Sequence, residues 1–316
     1  MEEFKSNSRR NFLKSIGIMG SSAVFFPFDS LEAKSSIEKI TILHTNDVHS
    51  RIDPFPMDGS RNQGLGGVAA RAALIQQIRA QEKNVLLLDA GDIFQGTPYF
   101  NLYGGELELK LMSKMGYDAA TLGNHDFDNG VEGFAKQMHN ADFPILCANY
   151  DFKNTALEGR TKPYTIFKKG QLRIGVFGIG IELKGLVEPK NYGETIYMEP
   201  VVRANKIAEI LRNEERCNLV ICLSHLGYKY KDKKVSDQIL AKETSNIDLI
   251  IGGHTHTFME IPEKLLNAKM QEVQIFQVGF AGINLGRIDY FFELDKKKKT
   301  SVASSLIVDG QADEKI

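Results

Sequence analysis

Ile40-Thr41-Ile42-Leu43-His44-Thr45-Asn46-Asp47-Val48-His49 opens as a β-branched apolar run and closes on two cation-binding residues. A run without polar alternation reads as a strand buried on both faces. In open α/β sheets, ligands gather beyond the carboxyl ends of strands. The residues after each apolar run are therefore the informative ones. Residues 85–88 lead into Asp89-Ala90-Gly91-Asp92, and 119–122 into Gly123-Asn124-His125-Asp126-Phe127-Asp128. Residues 219–223 lead into Ser224-His225-Leu226-Gly227, and 249–251 into Gly252-Gly253-His254-Thr255-His256. Five strand ends thus carry metal-type ligands that could converge on one crevice.

Further apolar runs lie at 145–148, 172–179, 273–278 and 285–292. Helix-period stretches at 68–81, 106–115, 131–140, 202–212 and 232–242 separate several of the runs. This alternation predicts an α/β protein whose sheets are covered by helices. The last two runs have no helix between them, so the C-terminal end reads as more purely β. Lys296–Lys299 reads as a solvated turn, and residues 301–316 as a C-terminal tail.

Asp47 and His49 are two apart, as are His254 and His256. In extended backbone such residues point the same way, so each pair is expected to offer two ligands on one side. Gly91 lets the backbone approach closely before Asp92. A carboxylate has two oxygens and can bridge two cations. With Asn124 and His225, the set has two carboxylates, one amide and four imidazoles. That exceeds the need of one metal and suits two metals sharing Asp92. Nitrogen and oxygen without thiolate favour Mn, Fe, Co or Zn over calcium or magnesium. Two divalent ions against two carboxylates leave about +2, which attracts a phosphate dianion. In two-metal hydrolysis, a bound water of lowered pKa supplies a hydroxide that attacks in line with the leaving oxygen.

His125 is not needed as a ligand. It precedes Asp128 by three residues, one turn if the segment is helical. A carboxylate there would fix the imidazole tautomer and raise its pKa. The charged ring could then stabilise the transition state or protonate the leaving group. His44 lies within the first strand and His139 late in a helix; both read as structural or surface residues. Cys147 and Cys222 fall in strand patterns and read as buried thiols, with Cys217 nearby. Arg71 is expected to brace the sheet edge, with substrate contact as the alternative.

The chain has 316 residues, with 39 Lys+Arg against 40 Asp+Glu, a net charge of −1. A protein that coats duplex nucleic acid would show a clear basic excess. Three cysteines are too few for a disulfide scaffold. Residues 1–33 read as an export signal: Ser8-Arg9-Arg10-Asn11-Phe12-Leu13-Lys14 resembles the twin-arginine type, and a short apolar run follows. That run is too short to span a bilayer, and no later segment is long enough for a transmembrane anchor. A soluble periplasmic protein is expected.

Taken together, the motifs D-x-H, G-D, G-N-H-D, H and G-H-x-H resemble the calcineurin-like metallophosphoesterase superfamily. Within it, Ile42 to Ser50, Gly91 to Thr97 and Gly123 to Gly130 are similar to the N-terminal catalytic domain of the bacterial 5′-nucleotidase family. The resemblance implies a four-layer α-β-β-α sandwich over residues 34–300. It also implies one metal held by Asp47, His49, Asp92 and His256, and a second by Asp92, Asn124, His225 and His254. His125 with Asp128 would be the catalytic dyad. Family members usually continue into a C-terminal substrate domain, and nothing after Phe292 resembles one. A separate chain supplying that domain is a possible partner. The expected activity is release of phosphate from nucleoside monophosphates. The alternatives are a phosphodiesterase, nucleotide-sugar or sulfur-ester hydrolase on the same site, or one subunit of a split nucleotidase.

Overall fold

A computed structural model describes residues 37–293 and 298–310. The expected export signal at 1–33 lies outside these residues. In chain order the elements are β1 (Ile37–Thr45), α1 (Val68–Gln81), β2 (Val85–Asp89), α2 (Pro98–Tyr103), α3 (Glu106–Met115), β3 (Ala119–Thr121), α4 (Gly130–Gln137), β4 (Ile145–Leu146) and β5 (Tyr150–Asp151). Then come β6 (Tyr164–Lys169), β7 (Leu172–Ile179), α5 (Pro189–Tyr192), β8 (Ile196–Tyr197), α6 (Pro200–Glu209), β9 (Leu219–Ser224), α7 (Asp237–Glu243), β10 (Leu249–Gly252), β11 (Glu263–Leu266), β12 (Glu272–Phe276), β13 (Asn284–Glu293) and β14 (Lys298–Ile307).

Two six-stranded sheets result, ordered β14-β13-β1-β2-β3-β4 and β11-β12-β10-β9-β7-β6. Strand alternation sorts the side chains into three cores. Ile40, Ile42, Leu86 and Leu88 of the first sheet meet Ile174, Val176, Leu219, Ile221, Leu223, Leu249 and Ile251 of the second. The opposite parity, Leu43, Val85 and Leu87, packs on Ile75 and Ile78 of α1 and Leu109 and Met112 of α3. Phe177, Val220, Cys222 and Ile250 pack on Ile207 of α6 and Leu240 of α7. Three cores between four layers make the α-β-β-α sandwich. The interior strands are apolar on both faces because each faces a core on either side.

The central strands of each sheet run parallel, β1-β2-β3-β4 in one and β7-β9-β10-β12 in the other. Their carboxyl ends therefore gather at one end of each sheet.

Several sequence expectations need correction. Residues 301–307, expected in a tail, belong to β14, which pairs antiparallel with β13 from Asn284↔Ile307 to Glu293↔Lys298. An edge strand faces solvent, so its serines and its exposed Val302 and Ile307 lack a buried strand's apolar signature. Strand β6, also at an edge, escaped for the same reason. The helix expected over 232–242 starts later, at Asp237, where Ser236 caps it by accepting from Ile239 N. Among the described residues, no helix is long and apolar enough to cross a membrane.

Candidate metal centre

All seven expected ligands lie within four residues of a strand's carboxyl end. The first sheet supplies Asp47 and His49 after β1, Asp92 after β2 and Asn124 after β3; the second supplies His225 after β9, then His254 and His256 after β10. Two groups form in which the ligand atoms lie within 4.8 Å of one another: Asp47, His49 and His256, and Asp92, His225 and His254. His256 Nε2 is 3.3 Å from Asp47 Oδ1 and 3.0 Å from His49 Nε2. Asn124 Oδ1 joins the second group, 2.8 Å from His254 Nδ1. Asp92 Oδ2 faces both groups, 3.8 Å from His49 Nε2 and 3.1 Å from His225 Nε2.

The convergence is achieved differently from the sequence expectation. Asp47, His49, Asp92, His254 and His256 have φ of 51°, 52°, 54°, 72° and 50°. The two-apart pairs are thus not extended; each runs through left-handed turns. Asp47 and His49 still join one group, but His254 and His256 part to different groups. Left-handed backbone costs about 1–2 kcal/mol for a residue with a Cβ, so surrounding bonds must hold it. Asp47 N donates to Gly91 O at 2.9 Å, His49 N to Asp92 O at 3.0 Å, and His254 N to both Asp47 oxygens at 2.9 and 3.0 Å. At Gly91, φ is +87°, and a Cβ would fall 2.5 Å from Gly123 N, so the Asp92 and Asn124 loops touch only because glycine stands there.

Three buried polar residues brace this arrangement, and for none of them does the sequence reading expect that role. The Asp126 carboxylate accepts from four backbone N–H groups, those of Asp92, Ile93, Phe94 and Gly123, at 2.8–3.1 Å. Gln277 holds the histidine loop, donating to Gly253 O at 2.6 Å and accepting from Thr255 Oγ1 and Thr257 N. Asn46 ties β1 to the turn after β12 through Gly279 O and Val278 N. For Asn46 and Gln277 the only sequence signal is a polar residue inside or beside an apolar run; Asp126 lies in the G-N-H-D motif, which does not reveal its partners.

The electrostatics call for positive charge. His225 is fully buried, and its Nδ1 lies 2.7 Å from Ala90 O, which accepts its proton and turns Nε2 toward Asp92. Nε2 is close to Asp92 Oδ2 but misaligned for a hydrogen bond, and so is a buried atom without a partner. Burial alone would lower the pKa of His225; the Asp92 carboxylate overrides it and holds the ring up at about 10. His254 is pushed down to about 4 by burial and by His225. An orphaned imidazole nitrogen beside two buried carboxylates fits a cation between them.

His125 Nδ1 sits 2.9 Å from Asp128 Oδ2, and this bond raises the His125 pKa. The ring is part of neither group, its backbone N donating to Asp92 Oδ1 at 2.8 Å. The remaining histidines fall outside the site. His44 is buried between the sheets against Phe276, and His139 is exposed. Arg71 is 2% exposed and lines an internal cavity with Ser50, Glu108 and Tyr117. All three cysteines are buried free thiols.

Residues 40–258 match the sequence profile of the calcineurin-like phosphoesterases. The snake venom 5′-nucleotidase of Naja atra is 35% identical over 291 residues, covering 85% of this chain and 53% of that protein. A probable 5′-nucleotidase of Treponema pallidum is 32% identical over 298 residues, covering 88% and 48%. The crystal structure of a 5′-nucleotidase precursor from Thermus thermophilus superposes with a TM-score of 0.77 at 31% identity, covering 86% of this chain and 55% of that one. The chain spans about half the length of these relatives. With the profile running from β1 through the histidine loop after β10, the chain belongs to the calcineurin-like phosphoesterase family.

Proposed function

We propose that this protein is a dinuclear metal-dependent phosphatase that releases phosphate from nucleoside 5′-monophosphates. The observation that carries the reading is the pair of ligand groups facing one shared carboxylate, Asp92. Asp47, His49, Asp92 and His256 would hold one ion, and Asp92, Asn124, His225 and His254 the other. Neutral imidazole and carboxylate suit Mn, Zn, Fe or Co. Bound divalent ions supply Lewis acidity and a water of lowered pKa.

The chain's own residues then have distinct tasks. His225 and His254 must be neutral to bind metal, and the proton that Asp92 stabilises on His225 leaves on metal loading. The bond to Asp128 favours the protonated form of His125, and in that form the ring donates a proton to the leaving alkoxide of the ester. Asp126 fixes the backbone between Asp92 and Phe94, so that the shared carboxylate does not shift during turnover.

Nucleotides are favoured among phosphate esters by the 5′-nucleotidase relatives, about half of whose length this chain matches. The twin-arginine-like segment at 8–14 supports a periplasmic location. The test is metal analysis of the purified chain with phosphate release from AMP, UMP and p-nitrophenyl phosphate. Asp92→Ala is expected to lose both metal and turnover. A chain that carries Mn or Zn and cleaves none of these esters refutes the proposal.

A further inference from the structure

Beside the first ligand group stands a cluster of phenylalanines that the hydrophobic cores do not use. The Phe280 ring lies parallel to the His256 imidazole, 5.1 Å between centroids and 11° between planes. Phe55 and Phe258 meet Phe280 edge to face, at 6.4 Å and 81° and at 5.9 Å and 80°. The Arg51 guanidinium sits 4.2 Å over the Phe55 ring. None of the three rings belongs to a core cluster, and Phe258 exposes 50% of its surface.

The cluster is rigidly tied to the metal centre. Ala281 N donates to Asp47 O at 2.7 Å, and Asn46 Nδ2 donates to Gly279 O. Phe258 lies directly over Gly279, where a Cβ would fall 2.2 Å from its ring. Phe55 is fixed by backbone bonds to Leu65 and Gly64. Preorganised rings left open to solvent beside a strongly polar site mark a ligand surface. Arg51 adds a flat cation whose Nε is buried without a partner. Planar π-systems stack on such surfaces with little regard to their hydrogen-bond pattern.

We infer that Phe55, Phe258 and Phe280, with Arg51, form a stacking shelf for the nucleobase of a nucleotide whose phosphate lies at the metal centre. The inference rests on the phosphatase reading above and deepens it. In a 5′-nucleotide one sugar separates phosphate from base, and one ring, Phe280, separates the His256 ligand from Phe258 and Phe55. The shelf has no donors or acceptors of its own beyond Arg51, so purine and pyrimidine are both accepted, purines better for their larger face. The residues beside the metal centre therefore carry base recognition of their own.

The test compares kcat/KM for AMP with that for ribose 5-phosphate, which lacks the base, in the metal-loaded full chain. The wild type is expected to prefer AMP. Phe258→Ala is expected to lower the AMP to ribose 5-phosphate ratio roughly tenfold, the usual cost of removing one stacking ring. Phe258→Trp should restore or raise it. Adenosine, which has no phosphate, should inhibit competitively, and Phe258→Ala should weaken that inhibition. A wild type that cleaves both esters equally overturns the shelf while leaving the phosphatase intact. An unchanged ratio in Phe258→Ala, with no adenosine binding, also overturns it and gives the rings another occupant such as a polypeptide. If no ester is cleaved, the phosphatase reading fails, and adenosine binding measured by equilibrium dialysis still decides the shelf.

Discussion

His44 gives the sharpest quantitative prediction because it is buried, unpaired and outside the chemistry. It is fully buried between the sheets, against the Phe276 ring, and neither ring nitrogen has a partner. Burial pushes its pKa from 6.5 down to about 3. The unfolded chain therefore binds a proton at this site between those values while the folded chain does not. Stability must rise with pH through that window and fall as the solution is acidified below about 6.5. At about 1.36 kcal/mol per pKa unit, His44 alone costs about 2 kcal/mol at pH 5, and nothing appreciable at pH 7.5. In His44→Leu, gain and loss nearly balance at pH 7.5. Removing two unpartnered nitrogens gains about 1–3 kcal/mol, and misfit against Gly286 loses about as much. The decisive quantity is the change in the difference between variant and wild type from pH 7.5 to pH 5. It is expected to move by about 2 kcal/mol in favour of the variant. Urea unfolding at the two pH values, with metal removed from both proteins, measures it. Comparing variant with wild type cancels the titration of His49, His225 and His254. A difference independent of pH refutes the claim that His44 is held neutral in the core.

Four other outcomes follow from the site. His125→Ala should keep its metal and lose about 10²–10⁴ in kcat; full retention of rate removes His125 from the reaction. Asp128→Asn should lower the His125 pKa, so the alkaline limb of the kcat profile moves to lower pH while metal content is unchanged. Gln277→Ala should weaken metal binding about 10–100-fold by freeing the histidine loop, read by metal titration against a competing chelator. The three cysteines should resist a thiol reagent in the native protein and all react in denaturant, since burial lifts Cys147 to about 12 and Cys222 well above its ordinary value.

The strand ends were legible because two independent signals coincide there. An apolar run marks the strand, and a cation-binding residue just beyond it marks the crevice. β1, β2, β3, β9 and β10 carry both. β6 and β14 carry neither, since an edge strand shows solvent one face and one row of backbone groups. The ligand residues were readable, but the geometry that joins them was not. Left-handed φ at Asp47 and His256 is imposed by bonds to Gly91 and by the turn Gln277 pins, both distant in sequence. Asp126 was in plain view within Gly123–Asp128, yet its four partners come together only when the loop after β2 folds against it. Local pattern reports which atoms are available; contacts across the chain decide which of them brace the others.

The left-handed ligands set this protein against itself over evolutionary time. Glycine adopts that backbone freely, whereas each of the five ligands does so at a cost of about 1–2 kcal/mol. At His49, His254 and His256 a change to glycine would relieve the backbone while removing a proposed ligand; Asp47 and Asp92 also hold the backbone N–H groups of His254 and His125, so glycine there would lose those bonds. The active sequence is therefore not the most stable one for its own fold. Where turnover is not under selection, as in a drifting gene copy or a screen for heat tolerance of the metal-free chain, replacements should accumulate early at these three histidines. A decayed descendant of this protein would be recognisable by an intact sandwich with glycines in place of these proposed ligands.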